Sequence, residues 1–287
     1  PVFVDVDPAT FQIDPAHLRR RIAEIRRRGR LRPRALIGVD LFGQPADWPA
    51  LSAIAAEAGL FTLDDAAQGF GASLQGRKLG TLADATAASF FPSKPLGAYG
   101  DGGALFTDSA DRAALYRSLR SHGEGAARYD VLRIGMNGRL DTLQAAVLLC
   151  KLDIFAADLA ARARVAALYD RHLAGAVTIP ARVPESTSAW AVYAVLLADA
   201  AARARAQEGL RARMVPSAVY YPRPLHHQPA YRDVHDGTRL PVAEDLATRI
   251  LALPIHPDLP DADAETVAGA LLGALGHASG VAVGEGR

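Results

Sequence analysis

Lysine, cysteine and long apolar runs are what this chain has least of. A single cysteine, Cys150, among 287 residues excludes an internal disulfide and any cysteine-built metal centre, and it fits a reducing cytoplasm. No apolar stretch reaches membrane-spanning length, and the residues from Pro1 onward read as a strand rather than a signal peptide, so no membrane association is expected. A formal net charge of +1 gives no electrostatic reason for a nucleic-acid partner. The one basic run, Arg19 to Arg34, alternates with Leu18, Ile22 and Ile25 at helical spacing and reads as a solvated helix face. Several catalytic signatures are also missing. Gly69-Phe70-Gly71 has Leu74 where a dinucleotide fingerprint needs its third glycine, and no GxxxxGK[ST], GxSxG, CxxC or HExxH occurs. The adjacent pair His226-His227 lacks metal-ligand spacing, so no metal is expected.

The scarcity of lysine makes its positions informative. Of 32 basic residues only Lys78, Lys94 and Lys151 are lysines. A guanidinium stays protonated in proteins, so attack on a carbonyl by a neutral amine requires lysine. Lys94 follows a small-residue strand (Ala85 to Ala88), Ser89, two phenylalanines and Pro92, and it precedes Gly97, Gly100, Gly102 and Gly103. Those glycines let backbone come close to a bound group. The alternative for such a lysine is a surface position in a turn.

The chain alternates strands and helices. Val2 to Val6 reads as a buried strand and Asp14-Pro15 as a helix start, with the helix reaching about Arg28. Ala35 to Leu41 is a second strand. Asp47 caps a helix that Gly59 stops, and Phe61 to Leu63 is a third strand ending in Asp64-Asp65. After the strand leading to Ser89, Ala104 to Thr107 reads as a further strand, which the glycine turn before it allows to run antiparallel, and Asp111 to Arg120 as a helix. The polar loop from His122 to Arg139 is too long for a mere connector and is a candidate for binding or subunit contact. Leu140 to about His172 is one long helix or a kinked pair. From Thr178 onward there is a strand (Trp190 to Leu197), a helix (Ala200 to Arg213), the loop Tyr220 to Gln228, helices around Ala243 to Leu251 and Asp263 to Leu275, and a tail (Gly280 to Arg287) expected to be disordered. This pattern predicts an α/β large domain over residues 1–165 with a mainly parallel sheet, and a smaller α+β domain over 166–287. Ligands of such sheets sit beyond the carboxyl ends of the strands, where Asp64, Asp65 and Gln68 fall.

A lysine, an aspartate at a strand end, a serine and several glycines form the set that pyridoxal phosphate asks for: an amine for the aldehyde, a carboxylate for the pyridinium and donors for the phosphate. The segments LDDAAQGFGASLQGRKLGTLAD, SFFPSKPLGAYGDGGALFT and IGMNGRLDTLQAAVLLCKL, with LFGQPADWPAL and YYPRPLHHQPAY, resemble the sugar aminotransferases of the DegT/DnrJ/EryC1/StrS family over nearly the whole chain.

The resemblance implies an aspartate aminotransferase-type fold (fold type I of the PLP enzymes) and transfer of an amino group, from glutamate, onto a nucleotide-linked keto sugar or keto sugar acid. Amino sugars of surface polysaccharides or secondary metabolites would be the products. It implies that Lys94 joins the cofactor aldehyde and, once released, shuttles a proton. Asp65 would pair with the pyridinium nitrogen, Gln68 would face the ring hydroxyl, and Ser89 would bind the phosphate. Asn137 would reach the phosphate of a neighbouring subunit, which makes a homodimer the expected assembly. Arg139 and His226 would lie near a sugar carboxylate, with Tyr221 beside them; their plainer readings are a helix-start ion pair and loop packing. The family normally carries a further N-terminal portion, so a missing N-terminal segment is expected. Asp40 stands where histidine is common in the family, and Gly138 replaces a serine. Two other readings stand beside this one. The chain could serve as a non-catalytic regulatory or assembly partner. Or it could be a dehydratase, although that branch carries histidine at the position of Lys94.

Overall fold

The structure is a computed structural model and describes residues 1–127 and 129–277; the tail from Gly280 lies outside them. The chain divides into two compact units, one of Ile22–Ala157 with Pro184–Ala189, the other of Pro1–Arg21, Asp158–Val183 and Trp190 onward.

Helix α1 covers Pro15–Arg28. The first unit is built on strands β1 (Ala35–Val39) and β2 (Phe61–Asp65), the short β3 (Ser73–Leu74) and β4 (Arg77–Lys78), then β5 (Ala85–Ser89) and β6 (Gly103–Phe106). The main sheet runs β1-β2-β5-β6. Its first three strands are parallel, and β6 returns antiparallel to β5. Helix α2 (Trp48–Ala58) links β1 to β2 as the parallel pairing requires. The Asp47 carboxylate accepts from the Ala50 N–H at its start (3.1 Å), and Gly59 ends it in the left-handed conformation at φ 65°.

Helix α3 covers Ala110–Arg120. The long stretch after Leu140 resolves as two helices, α4 (Thr142–Leu152) and α5 (Phe155–Leu173). Phe70 stacks on Phe106 and Phe155, both at 5.8 Å, and meets the edge of Phe90 at 5.9 Å. Such aromatic pairs add about 0.5–1.5 kcal/mol each beyond area burial. They surround the segment that carries Lys94, since Phe90, Leu96 and Ala98 belong to the same buried cluster.

Strand β7 (Ser186–Thr187) pairs with β3. The other unit packs α5, β8 (Tyr193–Leu196), α6 (Ala200–Ala212), α7 (Pro241–Arg249), β9 (Ile250–Leu253) and α8 (Asp261–Ala274). β8 and β9 are antiparallel and wholly buried. The expected strand from Trp190 is shorter because Trp190 itself sits at φ 52°, outside extended geometry. The helix expected to Leu251 stops at Arg249, and the apolar run after it becomes β9.

Val2 to Val6 does not form the expected strand. Only Val6 bridges, to Ile13. The reason is Asp5, whose buried carboxylate accepts from the N–H groups of Val242 (3.0 Å) and Ala243 (2.9 Å) and so caps α7 from far away in sequence. The basic run also has one exception to its solvated face. Arg21 is 2 % exposed and is paired with Asp236. Burial raises the Asp236 carboxyl, but the Arg21 guanidinium together with the Thr238 backbone N–H and hydroxyl holds it down to about 2.

Removing the Asp5 cap exposes the loss directly. Asp5→Ala is expected to cost about 1–2 kcal/mol and Asp5→Asn less, read as a fall in the urea midpoint with an unchanged m-value.

Candidate active site

Because β1, β2 and β5 are parallel, their carboxyl ends fall on one edge of the sheet. Val39 is registered with Asp65, and Asp65 with Ala87, so Ser89 on β5 lies two residues beyond the row of Asp65. Successive side chains of β2 alternate between faces. Asp64 is fully buried on one face while Asp65, on the other, is half-buried. Its Oδ1 accepts from the Ala67 N–H at 3.1 Å, which holds the carboxylate against the turn that follows.

That turn carries Gln68. Its Oε1 accepts from the Phe42 N–H at 2.7 Å. Phe42 itself lies at φ 64° in the short turn Leu41–Gly43 after β1. With the carbonyl side of the amide engaged, Gln68 offers its NH2 as a donor. The Ser89 Oγ accepts from the Phe91 N–H at 3.3 Å, and its own O–H is available to donate.

Lys94 sits in the tight segment that leaves β5. The Lys94 N–H donates to Phe91 O (2.9 Å), Ala98 N–H donates to Phe90 O (2.8 Å), and Phe90 N–H donates to Gly102 O (2.8 Å). A Cβ on Gly97 would lie 2.4 Å from the Pro92 carbonyl oxygen, so only glycine permits this closure. Lys151 of α4 fastens the same segment, its Nζ donating to Gly97 O at 2.7 Å. Partial burial pushes the Lys94 amine below the ordinary lysine range, and the nearby Asp65 charge only partly restores it. The result is an amine nearer to neutrality, opposed by a carboxylate, with an amide donor and a hydroxyl on the same sheet edge. This donor set fits pyridoxal phosphate: amine for aldehyde, carboxylate for pyridinium, NH2 for the ring oxygen, O–H for a phosphate oxygen.

The remaining expected residues belong to other segments of the chain. Asn137 and Arg139 are exposed on the segment that returns beside α3, where Asn137 bridges Ser121 and Gly138 N–H donates to Arg120 O at 2.9 Å. The Arg139 Nη1 donates to His122 Nε2 at 3.1 Å. Tyr221 and His226 belong to the other unit. Tyr221 is exposed, whereas His226 is buried among Phe3, His227 and His235 with its Nε2 3.3 Å from Glu244 Oε1. Burial lowers the His226 pKa, against the opposing pull of Glu244. His226, His227 and Glu244 bring their ligand atoms within 4.8 Å of one another, a proximity that the adjacent histidines alone did not suggest. The Arg239 guanidinium already neutralises that carboxylate through a 2.7 Å contact.

Sequence reasoning passed over two features of the site. Lys151 had no signal beyond being one of three lysines. The other is the complete burial of Asp40 and Asp64: Asp40 was visible only as a departure from a family pattern, and Asp64 as one of two acids at a strand end.

Comparison with known proteins agrees with this geometry. The pattern of the DegT/DnrJ/EryC1/StrS aminotransferase family matches residues 1–272. The UDP-2-acetamido-2-deoxy-3-oxo-D-glucuronate aminotransferase of Pseudomonas aeruginosa is 43 % identical over 272 residues, 94 % of this chain and 72 % of that protein. A DegT/DnrJ/EryC1/StrS aminotransferase from Brucella abortus superposes with a TM-score of 0.91 at 44 % identity, covering 95 % of this chain and 73 % of that one. DesV of S. venezuelae, solved in complex with a ketimine intermediate, superposes at 0.86 with 35 % identity, covering 93 % and 70 %.

Gly97→Ala is expected to force the Lys94 segment open at a cost of about 1–3 kcal/mol. Thermal unfolding should show the loss, and titration with pyridoxal phosphate should show weaker uptake than by the unaltered chain.

Proposed function

We propose, from the premise that this chain belongs to the DegT/DnrJ/EryC1/StrS aminotransferase family, that it moves an amino group from glutamate onto a nucleotide-linked keto sugar, with a 3-keto sugar acid as the favoured acceptor. The chain is a PLP-dependent aminotransferase with the type I fold of its structural neighbours. The observation that carries the reading is the pairing of a pKa-lowered Lys94 with Asp65 at one sheet edge. The choice of acceptor rests on the 43 % identity with an enzyme named for a UDP-linked 3-oxo-glucuronate.

Bound at this edge, pyridoxal phosphate supplies an aldehyde for an amine and a ring that takes up the electron pair when a C–H bond beside nitrogen breaks. The chain's own residues do the rest. Lys94 would hold the cofactor through its amine and, as a free base, would move the proton between the substrate carbon and the cofactor carbon. Asp65 keeps the ring nitrogen protonated through a charge-assisted hydrogen bond. Gln68 donates its NH2 to the ring oxygen, an orientation enforced by the Phe42 N–H on its other end. Ser89 donates to a phosphate oxygen. Arg139, with a guanidinium suited to bidentate contact, is assigned to the sugar carboxylate; His226 and Tyr221 are assigned separately as substrate residues of their own unit.

Asn137 is assigned to the phosphate of a second copy, which makes the working form a homodimer. Its exposure supports this, as do the exposed apolar side chains Tyr129, Val131, Ile134, Met136, Leu143 and Leu149 on the same segment and the helix after it. Among the described residues no helix is long and apolar enough to cross a membrane. The unpaired, exposed Cys150 supports a reducing compartment, the cytoplasm.

Three outcomes test the reading. Lys94→Ala should lower the half-reaction with glutamate by at least about 10²–10⁴-fold, and Asp65→Asn by about 10²–10³-fold, followed as the change in cofactor absorbance. Because burial depresses the Lys94 pKa, cofactor uptake should rise with pH and level off below the ordinary lysine value of 10.5. Full uptake and turnover in Lys94→Ala would refute the assignment.

A further inference from the structure

Directly behind Asp65 lies a second pair of acids that the reaction does not use. Asp40 and Asp64 are both 0 % exposed. Asp40 follows the last residue of β1, and its backbone N–H donates to Asp65 O at 3.0 Å, so it is bonded to the residue assigned to the ring nitrogen. Asp64 precedes Asp65 on β2 and points to the opposite face.

The hydrogen-bond census around the two carboxyls is unbalanced unless a proton lies between them. Asp40 Oδ1 accepts twice, from Ala46 N–H (2.8 Å) and from Trp48 Nε1–H (3.0 Å). Asp64 Oδ2 accepts from Thr86 Oγ1–H at 3.3 Å. Asp40 Oδ2 and Asp64 Oδ1 are buried without a hydrogen-bond partner; the Gly80 N–H also faces the Asp64 carboxyl, and the two carboxyls are hydrogen-bond neighbours of each other. Two facing carboxylate oxygens without a proton would be two buried, mutually repelling charges, which burial and Coulomb repulsion both forbid.

We propose that Asp40 and Asp64 share one proton, carried on Asp40 Oδ2 and donated to Asp64 Oδ1, and that this bond makes Asp40 a positioning residue for Asp65. As a neutral acid Asp40 has the pattern its surroundings require: a carbonyl oxygen accepting two donors and a hydroxyl donating one. It thereby fastens four things together: the end of β1, the start of α2 through Ala46 and Trp48, the buried face of β2 through Asp64, and the backbone of Asp65. The charged groups that act on the pair are the two acids themselves and Asp65; the other groups facing it, the Ala46, Trp48 and Gly80 N–H and the Thr86 hydroxyl, are neutral donors. Burial first, then the Asp64 charge, hold the Asp40 carboxyl well above the usual carboxylate range.

The shared proton stands independently of the cofactor; only its consequence for Asp65 rests on the reading of the site given above. The sign of its pH dependence is fixed. A folded state that keeps a proton which the unfolded chain gives up near pH 4 loses stability as pH rises from there to the raised native value. Asp40→Asn supplies the same acceptor and a permanent N–H donor to Asp64, and it has no such proton to lose.

The experiment compares thermal unfolding of the purified protein and Asp40→Asn from pH 5 to pH 9. Asp40→Asn should melt at or above the unaltered protein at pH 7, by about 2 °C or more. The gap should narrow toward pH 5. Asp40→Ala, which lacks donor and acceptor alike, should melt below both and retain pyridoxal phosphate poorly, with Asp40→Asn restoring retention. A destabilised Asp40→Asn, or a gap that is the same at every pH, would overturn the shared proton. Equal retention of the cofactor by Asp40→Ala would overturn its role toward Asp65. Failure of every form to take up the cofactor would count against the site reading instead, and the pH-dependent gap would still decide the proton.

Discussion

An amine that must be partly neutral and a carboxylate that must be charged have to stand close together without extinguishing each other. The partial burial of Lys94 meets the first demand: burial lowers the amine pKa while the nearby Asp65 raises it, and burial is the stronger of the two. Most of the local architecture follows from holding that balance. The parallel order β1-β2-β5 brings the strand ends to one edge. The Lys94 segment is closed on itself by bonds that only glycine at position 97 permits.

The supports around these two residues are mostly indirect. Lys151 grips the Lys94 segment from α4. Phe42 fixes the amide of Gln68 from the turn after β1. Asp40 reaches the backbone of Asp65 from the same turn. Each of these is a second residue that determines how a first one presents itself, one from α4 and two from the turn after β1. A site assembled in this way tolerates little movement between β1, β2 and β5, and the aromatic packing of Phe70, Phe90 and Phe106 beneath it supplies rigidity.

The strand-helix alternation, the Asp47 cap, the Gly59 stop and the antiparallel return at Gly103 were all legible from local chemistry, because each is fixed by residues adjacent in sequence. Lys94 stood out through the rarity of lysine. What escaped depends on partners distant along the chain. Val2 to Val6 has the composition of a strand, but Asp5 in its middle is drawn to the start of α7, which no local pattern reveals. Ile250–Leu253 follows a helix without a breaker, and only its pairing with Tyr193–Leu196 makes it a strand. Asp40 and Asp64 are far enough apart in sequence that their meeting depends on the register of β1 against β2. The packing of His226 against Phe3, His227, His235 and Glu244 was equally invisible in the sequence, because those partners come from distant positions along the chain.

The chemistry thus turns on which amine meets the aldehyde, and three lysines are available. Reduction of the pyridoxal phosphate complex with borohydride, followed by peptide mass mapping, answers this directly. The account predicts the phosphopyridoxyl mass on Lys94, with Lys78 and Lys151 unmodified. Stoichiometric label on either of those two with Lys94 unlabelled would contradict it.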